Sequence, residues 1–514
     1  MAEHRVVPSG ASESGGDRQQ RGLLATWTQI RAYFLLRRRI AYALSLRNVS
    51  MHFDLARWIR AMPGVIAFAM LLGIAGGFIF GMILPAGTVG DNKIVMDRSS
   101  GERFISVNGK MSPVYNLASA RLILGTYGNP TPVTSASIGR TSKGNKLGIS
   151  GAPDDMPITN GVGTSVAACQ RVPVNSITEK VTVAAIDGVS LGSRAAELAR
   201  DRVVLARMNE QTYIIWNGAK SLVDPGDRIV LSALGIDGAA VARAQPMSPL
   251  VGNAIPSALP MVDPVVPESG VPSPWKLGVE APIGSVVQSD LPGRGNRFFL
   301  VLRDGVQEVS ATVAAMLRSE NAFGTARPPT VSPDALTAVP QVTVMQASQY
   351  PPDPVSVVNP REQPVTCWVW EKGRTASTAS AKVVVGSDFP IPSVGDAALL
   401  GSVSAHVNKN VADLTYVAPG AANFVAVTGN STTSPTKEAL WWISPSGTRF
   451  GVPNVDTDRS ALGLTAEPLP IPDVILRLFP RGLPPNVALS QEDAKMAHDN
   501  VPVDPAPQPV VKPE

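Results

Sequence analysis

The chain has 514 residues, among them 46 prolines and 45 glycines, and only 5 % aromatic residues; it is too long for one ordinary core, and the balance favours short strands and loops over helical bundles. A net charge of +4, from 45 basic against 41 acidic side chains, is too small to argue for a nucleic-acid partner. Two cysteines with one distal histidine, His406, do not supply the about four ligands of a zinc site, and no cofactor motif stands out.

In chain order, residues 1–27 begin with a polar, Gly/Ser-rich stretch from Met1 to Gly22 and read as a disordered N-terminus. From Thr28 the pattern changes. Ile30, Tyr33, Phe34, Ile40, Ala41 and Leu44 recur at roughly helical spacing among arginines, which predicts an amphipathic helix over about 28–47. A second apolar and basic stretch, Met51 to Met62, completes a helical segment over 28–62. The cluster Arg31, Arg37, Arg38 and Arg39 suits either a lipid surface or a partner protein, and the sequence leaves both open.

Residues 64–84, GVIAFAMLLGIAGGFIFGMIL, carry no charge and lie between Pro63 and Pro85. At 1.5 Å per residue such a run crosses the roughly 30 Å hydrocarbon layer, so 63–85 is expected to be a single transmembrane helix. A cleaved signal peptide would start closer to Met1, have a shorter apolar region and be followed by a small-residue cleavage site. Arg31, Arg37, Arg38, Arg39, Arg47, Arg57 and Arg60 precede the run with Asp54 as the lone acid, while the first base after it is Lys93. The positive-inside rule then puts the N-terminus in the cytoplasm and residues 86–514 across the membrane. Gly73, Gly77 and Gly81 stand four apart on one helix face, either a packing stripe for another helix or the ordinary glycine content of membrane helices.

Both cysteines, Cys169 and Cys367, fall beyond the span, in what should be an oxidising compartment, and the natural reading is a disulfide; the alternative is two free buried thiols. Four stretches in this region resemble one another: RFISVNGKMSPVYNLASARLILG from Arg103, TYIIWNGAKSLVDPGDRIVLSALG from Thr212, RFFLVLRDGVQEVSATVAAML from Arg297 and LWWISPSGTRFGVPNVDTDRSALGL from Leu440. Each reads as strand, turn pair, shorter strand and helix, with the turn glycines Gly109, Gly218, Gly305 and Gly447. Gly125, Gly235 and Gly463 close three of them as helix stops, and the third copy lacks that glycine.

The predicted class is therefore α+β: a single-pass helix followed by an elongated body, residues 86–500, with four β-hairpin/helix repeats at about 103–125, 212–236, 297–319 and 440–464. Inserts at about 126–211 and 320–439 are expected to form a central domain clasped by the disulfide. Residues 501–514 are a proline-rich tail, either disordered or lying across a neighbour.

Catalytic constellations are hard to assemble from these residues. Gly139 to Lys146, GRTSKGNK, is the nearest approach to a P-loop and has Asn145 where the phosphate-binding lysine belongs, so it reads as a flexible basic loop. His406 beside Asn408 and Lys409 reads as an exposed loop residue rather than a base, and Asp154-Asp155 as solvated loop acids. A different class of function, a peptidoglycan-binding module, would use Trp441-Trp442 and Trp368 to Trp370 as sugar platforms; strand context favours a core role for them.

The segments FLLRRRIAYAL, NLASARLILG from Asn116, GISGAPDDM from Gly148, PVTCWVWEKG from Pro364, NFVAVTGN from Asn423 and LRLFPRGLPPNVALSQEDAKMAHD from Leu476 occur in the same order as in a known family. By them the chain resembles EccB, a membrane-core component of the mycobacterial type VII (ESX) secretion system. One departure is the Arg481-Gly482-Leu483-Pro484 run, where that family usually reads close to Pro-Gly-Pro. The resemblance implies an inner-membrane scaffold with a periplasmic body, with EccC, EccD, EccE, further EccB copies and the mycosin protease as partners, beside membrane lipid. Members of the family are often labelled ATPases, and the residues here offer no P-loop to match.

Overall fold

The structure, a computed structural model, describes residues 26–47, 55–83, 89, 91, 93–159, 161–173, 180–392, 399–402 and 409–496. The N-terminal stretch up to residue 25, the proline-rich tail and all four histidines lie outside the described residues, as does most of the stretch before Leu55 that follows the first helix. The chain divides into two compact units, Met1–Ala86 and Gly87–Glu514.

The first unit holds two helices. Helix α1, Trp27–Leu46, starts where the Gln29 side chain accepts from the Thr26 N–H at 2.9 Å and stops at Arg47, whose φ of 45° breaks the helical run. Helix α2, Leu55–Ile83, differs from the expected boundaries: the basic stretch and the apolar run form one helix of 29 residues that continues through Pro63. Pro63 removes a single backbone donor, which a helix of this length survives. The side chains described in it run from Met62 to Gly77. Among the described residues no helix is long and apolar enough to cross a membrane.

The second unit contains four small sheets of one design, and each is larger than the hairpin-plus-helix read from sequence. In the first, Ile94–Asp97, Arg103–Val107 and Lys110–Val114 form an antiparallel meander. The helix Leu117–Leu124 follows, and Thr131–Val133 returns parallel to the first strand. The second uses Arg202–Met208, Gln211–Trp216 and Ala219–Val223, then Arg228–Ala233, with Gln245–Pro246 returning. The third uses Val286–Leu291, Gly295–Leu302 and Gly305–Val309, then Ala311–Glu320, with Thr330 returning beside Gln288. The fourth uses Phe424–Thr428, Thr436–Ile443 and Arg449–Val452, then Asp456–Leu462, with Leu469–Pro472 returning.

After each return the chain makes a short helix, at Ser135–Gly139, Pro249–Gly252, Pro333–Thr337 and Asp473–Leu476. It then crosses to the far edge and bridges the third strand in parallel at Lys143, Ser257, Gln341 and Arg481. The returns are too short and proline-bearing to read as strands. Proline is tolerated there because an edge strand needs hydrogen bonds on one side only.

Caps explain where the main helices start and stop. Asn116, Asp227 and Ser310 accept from the N–H groups of Ser119, Val230 and Val313, while Gly125 and Gly463 turn left-handed at φ 65° and 79°. The third helix ends instead on the extended Asn321.

A seven-stranded central sheet joins the stretches that separate the repeats. Its order is Leu400–Gly401, Leu414–Val417, Thr182–Asp187, Gly163–Arg171, Val365–Gly373, Ser380–Gly386 and Ala195–Glu197. One face packs Trp368, Trp370, Val166 and Val383 against Val204 and Met208 of the second repeat and Val425, Ile443, Ile471 and Phe479 of the fourth. The second and third repeats share a further core through Leu205, Ile214, Leu300 and Val313, as do the first and fourth through Leu122, Phe424, Trp442 and Leu462.

Candidate interaction surfaces and the clasped core

In the central sheet Cys169 lies directly opposite Cys367 on neighbouring antiparallel strands, their Cα atoms 4.0 Å apart, and the two sulfurs are bonded. Both residues are fully buried, on the face that also holds Ile186, Val369 and Phe389. The bond joins the insert after the first repeat to the insert after the third, 198 residues apart in sequence. Just outside it Asp388 accepts from Arg171 and Arg194, pinning the end of the Ser380–Gly386 strand to two other stretches.

The predicted turn glycines serve two different purposes. Asn108-Gly109 (φ 51° and 74°) and Asn217-Gly218 (φ 49° and 80°) form tight turns with both residues left-handed. Gly305 instead lets backbones meet: a Cβ there would lie 2.2 Å from the Pro340 carbonyl oxygen. At Gly447 a Cβ would meet Thr415 at 2.4 Å. A further hairpin turn, Asn209 and Glu210 at φ 49° and 65°, carries no glycine and escaped the sequence pattern.

The tryptophans proposed as sugar platforms are core residues. Trp368, Trp370 and Trp442 are at most 2 % exposed. Only Trp441 keeps part of its surface, and arginines crowd it. The Gly139–Lys146 stretch is tied down rather than free, bridging Met111 at Lys143 and laying Lys146 over the Tyr115 ring at 4.2 Å. Asp154 and Asp155 each hold an arginine, Arg103 and Arg121, at 2.8 Å. Arg121, itself buried, also donates to Gly128 O and Asn129 and lies over Tyr127 at 4.1 Å, a hub that no pattern in the sequence marked. His406 lies outside the described residues.

Two buried titratable side chains stand out. Lys220 donates to the carbonyls of Gly252 and Ile255 at 2.6 and 2.8 Å, and burial lowers its pKa. Asp187, at the end of a central strand, has no hydrogen-bond partner for either carboxylate oxygen among the described residues, and burial raises its pKa to about 8.

Helix α1 is the opposite case. Trp27, Tyr33, Phe34, Leu36, Ile40, Tyr42 and Leu44 are each more than half exposed, interleaved with the exposed Arg31, Arg37, Arg38 and Arg39. In α2, Gly73 and Gly77 have open space where a Cβ would stand; Gly81 is in the helix but beyond its described side chains. Among the described residues no group of three or more His, Cys, Asp or Glu is placed to hold a metal.

The family described as "Type VII secretion system ESX-1, transport TM domain B" matches residues 23–503. The chain belongs to the EccB family. It is 36 % identical over 513 residues to a Mycobacterium tuberculosis protein named ESX-5 secretion system ATPase EccB5, covering 98 % of this chain and 100 % of that one. To ESX-3 secretion system ATPase EccB3 of Mycolicibacterium smegmatis it is 34 % identical over 497 residues, with 95 % and 94 % covered. Among EccB-related structures, a chain of the intact ESX-5 inner membrane complex superposes with a TM-score of 0.74 at 35 % identity, covering 96 % of this chain and 99 % of that one. A chain from the EccB3 dimer of the ESX-3 core complex gives 0.69 at 33 % identity, covering 79 % and 100 %. Although the curated EccB relatives are called ATPases, the stretch nearest a P-loop here has Asn145 in the lysine position and lies along a sheet edge.

Proposed function

We propose that the chain is a structural subunit of a type VII secretion inner-membrane complex, whose body stiffens and assembles the periplasmic part of that complex. The observation that carries this reading is full-length likeness to a chain of the ESX-5 inner membrane complex, at 96 % coverage. The interlocked inserts and the buried disulfide suit a scaffold that must keep its shape.

In this reading α2 is the single membrane span, with the N-terminus cytoplasmic and residues beyond 86 periplasmic. A helix of 29 residues is about 44 Å long at 1.5 Å per residue, and the arginines lie on one side of its apolar run. Gly73, Gly77 and Gly81 give α2 a slim face for a neighbouring membrane helix. Helix α1 supplies the cytosolic contact, its arginines meeting lipid headgroups or the core subunits EccC, EccD and EccE. The body contacts other EccB copies and the mycosin protease. Trp368, Trp370 and Trp442 are buried and offer no face on which a peptidoglycan sugar could stack.

The test is gentle detergent extraction of tagged protein, followed by a native gel and mass spectrometry of what accompanies it. The full chain is expected in a megadalton-scale assembly with the other core subunits, and deletion of residues 1–47, which spares α2, is expected to lose it. Recovery of the full chain alone would sink the scaffold reading. For topology, protease added to spheroplasts should degrade the body and spare the N-terminus; the reverse pattern overturns the orientation.

A further inference from the structure

The fourth repeat carries positive charge that its own folding compensates only in part, three arginines facing one carboxylate. Arg449 begins the third strand, and Arg481 lies on the segment that bridges it in parallel. Their guanidinium carbons lie 4.6 and 5.2 Å from the ring centre of Trp441, the half-exposed tryptophan of the adjoining strand. Arg477 adds a third cation beside them, and the one carboxylate of the group, Asp473, is paired to it. Among the described residues neither Arg449 nor Arg481 has an ion-pair partner; Arg449 donates to Phe479 O at 2.8 Å and Arg481 to Pro485 O at 3.4 Å. Burial first, then the nearby Arg481, lowers the pKa of Arg449 to about 10. Like charges gathered round an aromatic ring at a half-open surface are arranged to receive an anionic segment.

We propose that this arginine cluster seats the chain's own proline-rich segment, residues 497–514. That segment carries Asp499, Asp504 and Glu514 against the single Lys512, so its charge complements the cluster. Its five prolines, Pro502, Pro505, Pro507, Pro509 and Pro513, with valines between, favour the extended left-handed conformation that docks on aromatic surfaces. The described chain also ends in the right place. Ala494, two residues before Met496, is buried in the same apolar cluster as Phe450 and Leu483, which adjoin Arg449 and Gly482. At roughly 3.1 Å per residue the segment spans about 55 Å, ample to return over that surface.

The experiment uses the full-length protein in detergent with the photo-crosslinking residue p-benzoylphenylalanine in place of Val503. Irradiation followed by peptide mapping is expected to join residue 503 to peptides containing Trp441 or Arg477–Arg481 of the same chain. Arg481→Glu should cut that product about fivefold, Arg481→Gln by less, and Asp504→Arg combined with Arg481→Glu should restore part of it. Raising the salt to about 1 M should also weaken it. Products that fall elsewhere in the body, join two chains, or reach phospholipid instead would overturn the proposal, as would a yield indifferent to Arg481→Glu. An unchanged thermal midpoint for each variant separates loss of docking from loss of folding.

Discussion

Helix α1 and the central sheet are built from similar residues and treat them in opposite ways. In the sheet, Trp368 and Trp370 are sealed between the second and fourth repeats; in the helix, Trp27, Tyr33 and Phe34 are open to solvent beside a row of arginines. The difference is one of completion. The sheet buries its aromatic area against neighbours within one chain, whereas the helix has apolar area whose burial requires another surface.

The largest expected effect breaks the completed side. Replacing both Cys169 and Cys367 by alanine reopens a loop of 198 residues, which the chain-entropy account values at about 5 kcal/mol, so the thermal midpoint of the purified protein should fall steeply. Trp368→Ala should cost about 3–5 kcal/mol by the same measurement, since it empties the seam between the central sheet and two repeats. Trp27→Ala is the matched control on α1: a midpoint shift within about 0.5 kcal/mol, and a loss of co-purifying subunits on the native gel. If Trp27→Ala unfolds the protein, or Trp368→Ala does not, the contrast between the two regions fails.

A subtler prediction concerns Asp187. Its folded carboxyl keeps a proton up to about pH 8, whereas an unfolded one loses it near pH 4, so between those values the folded state binds more protons. Stability should therefore decline as pH rises through that interval and level off above it. Asp187→Asn should flatten the decline when midpoints are followed against pH; a slope unchanged by the substitution would refute the assignment. Gly109→Ala should cost about 1 kcal/mol in the same thermal measurement, because its φ of 74° strains any side chain while the space around it is open.

How much of this was legible varies with the length of the signal. Asn108-Gly109 and Asn217-Gly218 are local features, and two residues suffice to announce a hairpin that the backbone then forms with both φ angles positive. Gly125 and Gly463 likewise mark helix ends on their own. The returning strands were invisible because Gln245–Pro246 or a single bridge at Thr330 is too short for any periodicity, and only the fold places them at an edge. The continuity of α2 through Pro63 was hidden for the opposite reason: proline is a strong local stop signal, and here the surrounding helix overrides it. Arg121 shows the remaining limit, since its role depends on the Gly128-Asn129 pair and Asp155 converging from two separate loops.

The crossing segments that follow every return have a consequence for how copies of this body meet. In each repeat the first strand is covered by the return and the third is bridged at Lys143, Ser257, Gln341 or Arg481, so the chain closes off its own small sheets. Unpaired backbone is the indiscriminate adhesive of β-structure, open to any strand that passes. With much of it masked, a neighbouring strand would meet side chains there rather than open backbone.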